Sequence, residues 1–480
     1  MPTFTPSSLA SWTAGQWTTR PVEELHGFSQ DSRKLQRGQI FVALRTPQRD
    51  GHDFVANAFT SGASAAIVSR VIEGAGPQLV VADPLKAFQS IARENRRAFR
   101  GAVVGVTGSC GKTSTKNLLA RMLGGESRVL ATEGNLNNHI GVPLTLTRLD
   151  PSRDEAAVIE AGISGPGEMA ELAEMIEPEY GVVTLVAPAH TAELGGTEGV
   201  AREKAVLLQH VRPSGLGVFP QQCWNFAPFR DLPQTSIVVV PAGETTNAPR
   251  SVSFRADFSA EHTSLILGKR RFQFRRVSRG MAQNAALGIV LASELGVTDG
   301  QIQSALENWQ SAKWRGEVLR DGPRQFYLDF YNANPASMAD ALENFYGLAT
   351  IGQPRLLVLG GMEELGPDSS KYHRELGRQL QLGPDDRVFI IGSDADAVKA
   401  GASENLGPAA AERVEVIFSL EKVTAAIAGF HGSIFMKGSR RYELERALPS
   451  GALAPQAPES KRVSAGSAAS RAPQQPLFSC

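Results

Sequence analysis

The residues with the clearest chemistry lie in residues 105–114, GVTGSCGKTS. Glycines at 105, 108 and 111 let the backbone curl so that successive N–H groups face one anion. The helix expected to start directly after Gly111 adds the partial positive charge of its N-terminus. Gly108, Ser109, Gly111, Lys112, Thr113 and Ser114 are therefore read as a phosphate cradle. In that reading Lys112 reaches the β- and γ-phosphates of ATP, and the Thr113 hydroxyl coordinates Mg²⁺. The spacing departs from the strict G-x4-G-K-[ST] pattern, because Val106 stands at the first glycine position. The plain alternative is a tight strand-to-helix turn with an incidental lysine. Cys110 reads as a tolerated small residue rather than a reactive thiol.

Such a loop needs a buried strand before it and a helix after it. AVVGVTG and KTSTKNLLARML supply them, and AAVIEAG (156–162) and GVVTLVAP (181–188) read as further buried strands. GEMAELAEMI (167–176) is helical between those two, and this alternation predicts a parallel sheet covered on both faces. Upstream, residues 1–98 read as a small α/β unit with strands in QIFVALR (39–45), AAIVSRV (65–71) and QLVVAD (78–83). FVANAFTSGA has helical spacing and ends on Gly62 as a C-cap, and residues 85–100 form a helix into the next domain. Residues 252–278 alternate as SVSFRADF and RRFQFRRV, which predicts a hairpin excursion before an apolar helix at 281–296. From residue 312 the strand–helix rhythm repeats in FYLDFY (326–331), RLLVLGG (355–361), RVFIIGS (387–393) and SIFMKGS (433–439). The fold class is α/β with three domains: 1–98, a central P-loop parallel-sheet domain at 99–311, and a Rossmann-like C-terminal domain at 312–454. The tail 455–480, rich in Ala, Pro, Ser and Gln, is expected to be disordered.

The whole chain narrows the partners. Its 480 residues exceed what one hydrophobic core organises. Lys+Arg and Asp+Glu both number 49, so no global field gathers nucleic acid or an anionic membrane, and anions must meet local sites. Three widely separated cysteines (110, 223 and 480) form neither a disulfide framework nor a metal-ligand spacing. The start, MPTFTPSSLASWTAGQW, does not resemble a signal peptide, and no apolar run is long enough to span a membrane. A cytoplasmic protein is expected.

At this point the residues resemble a known family. TGSCGKTSTK (107–116), GNLNNHIGVPLTL (134–146), DFYNANPASM (329–338) and GGMEELG (360–366) occur in the order found in the Mur ligases, and MKGSRRYELE (436–445) matches their KGSR element. DSRKLQRGQIFVALRTPQRDGHDF (31–54) is similar to a nucleotide-sugar-binding segment of that family. YNANP together with GNLNN resembles the branch that adds D-alanyl-D-alanine to UDP-N-acetylmuramoyl-tripeptide in peptidoglycan precursor synthesis. The resemblance implies an ATP- and Mg²⁺-dependent ligase that phosphorylates a carboxylate and lets an amine attack the acyl phosphate. A monomer is expected.

The resemblance also implies roles for single residues. Thr113 and Glu160 would hold Mg²⁺, and His190 lies near a second one. Lys204 matches a lysine carried as an N-carbamate, which turns a cation into a carboxylate-like metal ligand. Lys112, Lys204, Glu160 and His190 are thus the expected catalytic set. Asn284 would meet adenine; Asp329, Asn332 and Asn334 would meet the ribose and base; Arg315 would swing toward the phosphates. Lys437, Ser439 and Arg440, with Asn135, Asn137 and Asn138, would contact substrate. Ser32, Arg33, Asp50, Gly51 and His52 would meet the UDP-sugar. The plain reading of the Asp, Asn and Ser residues is that they cap helices and turns, and that of Lys204 is a solvated helix lysine. Three positions depart from the family pattern: residues 280–284 read Gly-Met-Ala-Gln-Asn, lacking its first His and Asn; Val206 replaces a Glu; and Gly361 replaces an acidic residue. Two other readings remain open at this level: a related amide ligase with another amino donor, and a non-catalytic nucleotide-binding scaffold.

Overall fold

A computed structural model of the chain describes residues 2–449, so the tail expected to be disordered lies outside the described residues. The chain forms two compact units: Met1–Val186 with Glu193–Phe254, and Ala187–Ala192 with the chain from Arg255 onward.

The first unit opens with a five-stranded sheet in the order Gln16–Trp17, Gln78–Val80, Ala65–Val68, Ile40–Val42, Phe28–Ser29. Its inner pairs are parallel. Ala65–Val68 and Ile40–Val42 are buried at every residue, as parallel strands covered on both faces must be. The expected short helix spans Val55–Thr60 and stops as Gly62 takes φ +102°. Asp83 then caps the helix Pro84–Ala98 by accepting the Leu85 and Lys86 N–H groups at 2.8 and 3.2 Å, with Pro84 where no donor is needed. This helix docks on the segment that follows. Asn95 donates to the Leu146 and Leu149 carbonyls at 2.8 and 3.0 Å. Arg96, with no exposed surface, donates to the Ile176 carbonyl at 2.8 Å and to the Glu179 carboxylate at 2.6 Å.

The central sheet has nine strands. Their order is Val129–Ala131, Ala156–Glu160, Ala102–Thr107, Tyr180–Val183, Leu216–Pro220, Ser236–Pro241, Ser251–Phe258, His262–Leu267, Arg270–Arg275. Pairs are parallel as far as Ser251–Phe258. The alternating segment from 251 onward, read from sequence as an excursion, continues the sheet, and its last two strands pair antiparallel, which makes the whole sheet mixed. Gly105 lies inside its strand rather than in the loop, and a Cβ there would come within 2.9 Å of Leu207 on the helix Thr197–Gln209. Its contribution is therefore close helix-to-strand packing.

The last sheet runs Glu317–Asp321, Arg324–Asp329, Gly432–Lys437, Arg355–Gly360, Arg387–Ile391, Val414–Val416. All pairs are parallel except the first. Alternate residues of Arg324–Asp329 feed two cores: Tyr327 packs with Phe345 and Phe435, while Phe326 and Leu328 pack with Ile434 and Val358. No helix among the described residues is long and apolar enough to cross a membrane.

Candidate active site

The strand Ala102–Thr107 delivers the chain to the loop, and Gly111 (φ +79°) caps the helix Lys112–Met122. Gly108 takes φ +147°, a conformation open essentially only to glycine. A Cβ there would lie 1.8 Å from Thr184 Oγ1. That hydroxyl donates to the Cys110 carbonyl at 2.5 Å, and the Ser109 N–H donates to the Leu185 carbonyl at 2.8 Å. The end of the neighbouring strand therefore latches the loop, and Thr184 is a contributor that the sequence reading did not single out. Lys112 Nζ folds back to donate to the Gly108 carbonyl at 2.8 Å. Ser114, in the first turn of the helix, is half-buried.

Glu160 ends the adjacent strand and is buried. Both of its carboxylate oxygens are engaged. Thr113 Oγ1 donates to Oε2 at 2.8 Å, and Asn137 Nδ2 donates to Oε1 at 2.8 Å. The structure thus joins three sequence segments, the phosphate loop, the strand end and GNLNN, at one carboxylate. Asn135 is exposed, and Asn138 accepts the Ile140 and Gly141 N–H groups at 3.1 and 2.9 Å, stabilising the turn into the helix Gly141–Leu146.

Lys204 is buried on the helix Thr197–Gln209. Burial, reinforced by the Lys112 charge, holds its ammonium pKa down to about 7. The buried Cys223 thiol is also within its electrostatic reach, and burial pushes that thiol well above its ordinary range. Lys204 is therefore no solvated helix lysine. Its spacing already carried the signal, since Ala201, Ala205 and Leu208 share its face and are buried with it.

In the second unit, His190 takes φ +54° and its Nδ1 lies 2.5 Å from the carboxylate of Glu364, itself at φ +64°. Two non-glycine residues in the left-handed region facing each other mark a constrained pair. Thr191 next to it donates to the Leu365 carbonyl at 3.1 Å. Asn284 is buried on the helix Arg279–Glu294. Asp329 ends its strand against Lys437, whose Nζ is 2.6 Å from Oδ2 and 3.3 Å from the Asn332 carbonyl, with Lys437 wholly buried. The Asn332 side chain accepts the Ala333 N–H at 2.8 Å. Asn334 caps the helix Pro335–Leu348 in a reciprocal pair with Ser337, so its side chain serves the backbone. The Arg315 guanidinium stacks 3.8 Å from the Tyr331 ring centroid, Arg440 lies over Trp314, and Ser439 starts the turn Arg440–Tyr442 with its N–H on the Gly361 carbonyl.

The N-terminal candidates lie around two turns. Arg33 holds Asp31 through two 2.8 Å bonds, which brings the Asp31 carboxyl down to about 2, and Ser32 is half-buried between them. Asp50 accepts the His52 N–H at 2.9 Å and its ring Nδ1 at 2.7 Å, which holds the Asp50 carboxyl low. His52 Nε2 accepts the Ser69 N–H at 2.9 Å, so both ring nitrogens of this buried histidine are occupied. A Cβ on Gly51 would meet the Leu44 carbonyl oxygen at 2.5 Å. This turn is built tightly enough to present Asp50 and Gly51 in one geometry.

Three family models match the chain: "Mur ligase family, catalytic domain" over residues 24–94, "Mur ligase middle domain" over 106–292 and "Mur ligase, glutamate ligase domain" over 314–440. The UDP-N-acetylmuramoyl-tripeptide–D-alanyl-D-alanine ligase of Escherichia coli (strain K12) is 31% identical over 446 residues, covering 88% of this chain and 93% of that protein. The ligase of the same name from Bacillus subtilis (strain 168) is 30% identical, covering 79% and 82%. Among solved structures, a crystal structure of MurF from Acinetobacter baumannii superimposes with a TM-score of 0.82 at 28% identity, over 93% of this chain and 98% of that one.

Proposed function

The chain belongs to the Mur ligase family, and we propose that it joins D-alanyl-D-alanine to UDP-N-acetylmuramoyl-tripeptide, with ATP cleaved to ADP and phosphate. One observation carries the catalytic part of this reading: Glu160 receives hydrogen bonds from both the phosphate-loop Thr113 and the GNLNN residue Asn137. Nucleotide loop and family-specific segment therefore converge on a single buried carboxylate.

The donor set fits Mg²⁺. Neighbouring ligands of an octahedral ion with bonds of 2.0–2.1 Å stand about 3 Å apart, and the Thr113 hydroxyl and Glu160 carboxylate are 2.8 Å apart. No group of three or more His, Cys, Asp or Glu side chains that could hold a metal occurs among the described residues. Mg²⁺ asks for no such cage, since it is commonly held by one or two carboxylates together with phosphates and water. When bound, it would neutralise charge on the β- and γ-phosphates. His190, which the family resemblance sets near a second ion, is held by Glu364 at its Nδ1.

In the first step a carboxylate oxygen of the tripeptide attacks the γ-phosphorus and the bond to ADP breaks. Loop N–H groups, Lys112 and Ser114 hold the phosphates in line. In the second step the amine of D-alanyl-D-alanine attacks the acyl carbon, loses a proton, and inorganic phosphate leaves with the C–O bonding pair. Lys204 is suited to N-carboxylation, because at a pKa of about 7 much of its amine is neutral and can add CO₂ with loss of a proton. The resulting carbamate would serve as a further metal ligand. Asn284, Asp329, Asn332 and Arg315 would recognise the nucleoside and phosphates. Asn334 would shape that segment as a helix cap. Ser32, Arg33, Asp50, Gly51 and His52 would hold the UDP-sugar, and Asn135, Asn137, Asn138, Lys437, Ser439 and Arg440 would line the peptide's path. The reading implies a cytoplasmic enzyme, acting as a monomer.

The test is ADP release by purified protein with UDP-N-acetylmuramoyl-tripeptide, ATP and Mg²⁺, comparing D-alanyl-D-alanine with single amino acids and glutamate. Turnover dependent on the dipeptide is expected. Stimulation only by another amine would replace the proposed acceptor, and no ADP with any set would favour a binding protein.

A further inference from the structure

The helix Arg279–Glu294 carries Asn284, and its orientation decides where that side chain points. Its N-terminus is tied to the helix Pro335–Leu348, which starts at the YNANP segment. Three residues on one face of the second helix make the seam. Asp340 Oδ1 accepts the Gly280 N–H at 2.8 Å, and the Ser278 hydroxyl also bonds that carboxylate. Glu343 Oε1 pairs with Arg279 Nε at 2.5 Å, and Asn344 Oδ1 accepts from Arg276 Nε at 3.4 Å. Positions 340, 343 and 344 are separated by three and four residues, the spacing that aligns side chains along one helical stripe.

Asp340 stands apart from the other two. Glu343 is an exposed partner, whereas Asp340 is half-buried and its carboxyl is raised, chiefly by desolvation. It lies within electrostatic reach of Asp329 and Lys437, the pair at the end of the neighbouring strand. A carboxylate directed at the first N–H groups of a helix satisfies donors that have no partner within that helix and opposes the positive end of its dipole. The fit is close. A Cβ at Gly280 would come within 2.8 Å of Asp340 Oδ2, although the Gly280 backbone is helical and would otherwise accept alanine. Glycine at 280 thus admits the close approach of the Asp340 carboxylate, which would have to shift to make room for a Cβ.

We propose that Asp340 is a positioning residue for nucleotide binding: through Gly280 and Ser278 it fixes the start of the Asn284 helix against the helix that begins at YNANP. This rests on the reading of Asn284 as a nucleotide contact. The ligand concerned is the adenosine part of ATP.

The experiment measures KM for ATP and kcat in the full-length protein for Asp340→Ala, Asp340→Asn, Asn284→Ala, Gly280→Ala and the Gly280→Ala/Asp340→Ala double variant. Asp340→Ala is expected to raise KM for ATP about tenfold and to leave kcat within about twofold. Asp340→Asn keeps an acceptor for the Gly280 N–H and should recover most of that loss. Gly280→Ala alone should also raise KM, and combining it with Asp340→Ala should add little, because the clash it introduces is with the removed carboxylate. An unchanged KM in Asp340→Ala while Asn284→Ala raises it would overturn the proposal and leave the nucleotide reading standing. A raised KM in Asp340→Ala with none in Asn284→Ala would remove Asn284 as the contact, and with it the proposed route from Asp340 to the nucleotide. Equal loss in Asp340→Asn and Asp340→Ala, or full additivity with Gly280→Ala, would refute the proposed geometry. Thermal melting of each variant separates a local effect from failure to fold.

Discussion

Replacing Lys204 by methionine removes a buried amine whose protonation depends on pH. The ammonium is lowered from 10.5 to about 7, mainly by burial and then by Lys112. Between those pH values the unfolded chain carries the proton and the folded chain does not. The unfolded state then binds more protons, so stability rises with pH across the window and is lowest below pH 7. The full span corresponds to about 5 kcal/mol, of which about 4 kcal/mol is still outstanding at pH 7.5 and about 1 kcal/mol at pH 10. Lys204→Met keeps a similar volume without the charge. Urea unfolding of wild type and variant in CO₂-free buffers should therefore show the variant more stable near neutrality, with the gap closing as pH rises. Bicarbonate should stabilise the wild type alone, by mass action on the folded amine, while the variant should have lost ligation. Parallel pH profiles from 7 to 10 would refute the argument, because they would mean that Lys204 is protonated alike in both states.

Three further perturbations probe the same unit. Glu160→Gln keeps the shape of the side chain but loses the charge proposed to face Mg²⁺; kcat should fall about 10²–10³-fold at saturating ATP, and a smaller fall that added Mg²⁺ restores would move the ligand elsewhere. Gly108→Ala forces a Cβ against Thr184 Oγ1 at φ +147°, so it should cost at least about 1–3 kcal/mol in strain and abolish the thermal shift given by ADP; an undiminished shift would show that the loop bends freely. Arg96→Ala leaves the Ile176 carbonyl and the Glu179 carboxylate without their buried partner; a loss of about 3–5 kcal/mol in urea unfolding is expected, and under about 1 kcal/mol would mean that water replaces the guanidinium.

How far each residue could be read from sequence depended on whether its role follows from local pattern or from what crosses over it. The phosphate loop was legible because an apolar strand, three glycines and a helix start are consecutive, and even there the structure moved Gly105 from the loop into packing against Leu207. The strands were legible where apolar runs end in glycine, as at Ala156–Glu160 and Arg355–Gly360. Neighbouring asparagines were not separable by type. Asn137 reaches Glu160, whereas Asn138 turns back to the Ile140 and Gly141 N–H groups, and only the backbone direction between them decides which is which. The same holds for Asn334, whose place before Pro335 already spelled a helix cap.

The positions that departed from the family pattern are the most instructive, because sequence shows each of them as a loss. Gly280 looks like a missing side chain until Asp340, 60 residues away, is found occupying the space beside it and holding its N–H. An aspartate within a helix reads as a solvated residue, and a glycine near a helix start reads as a weak cap; neither local reading contains the other. The pair makes sense only as one contact. The glycine at 280 is therefore one half of a contact at the start of the Asn284 helix and not a vacancy. The scaffold reading drew on that loss, and under our proposal the same contact would hold the Asn284 helix in register for the nucleotide.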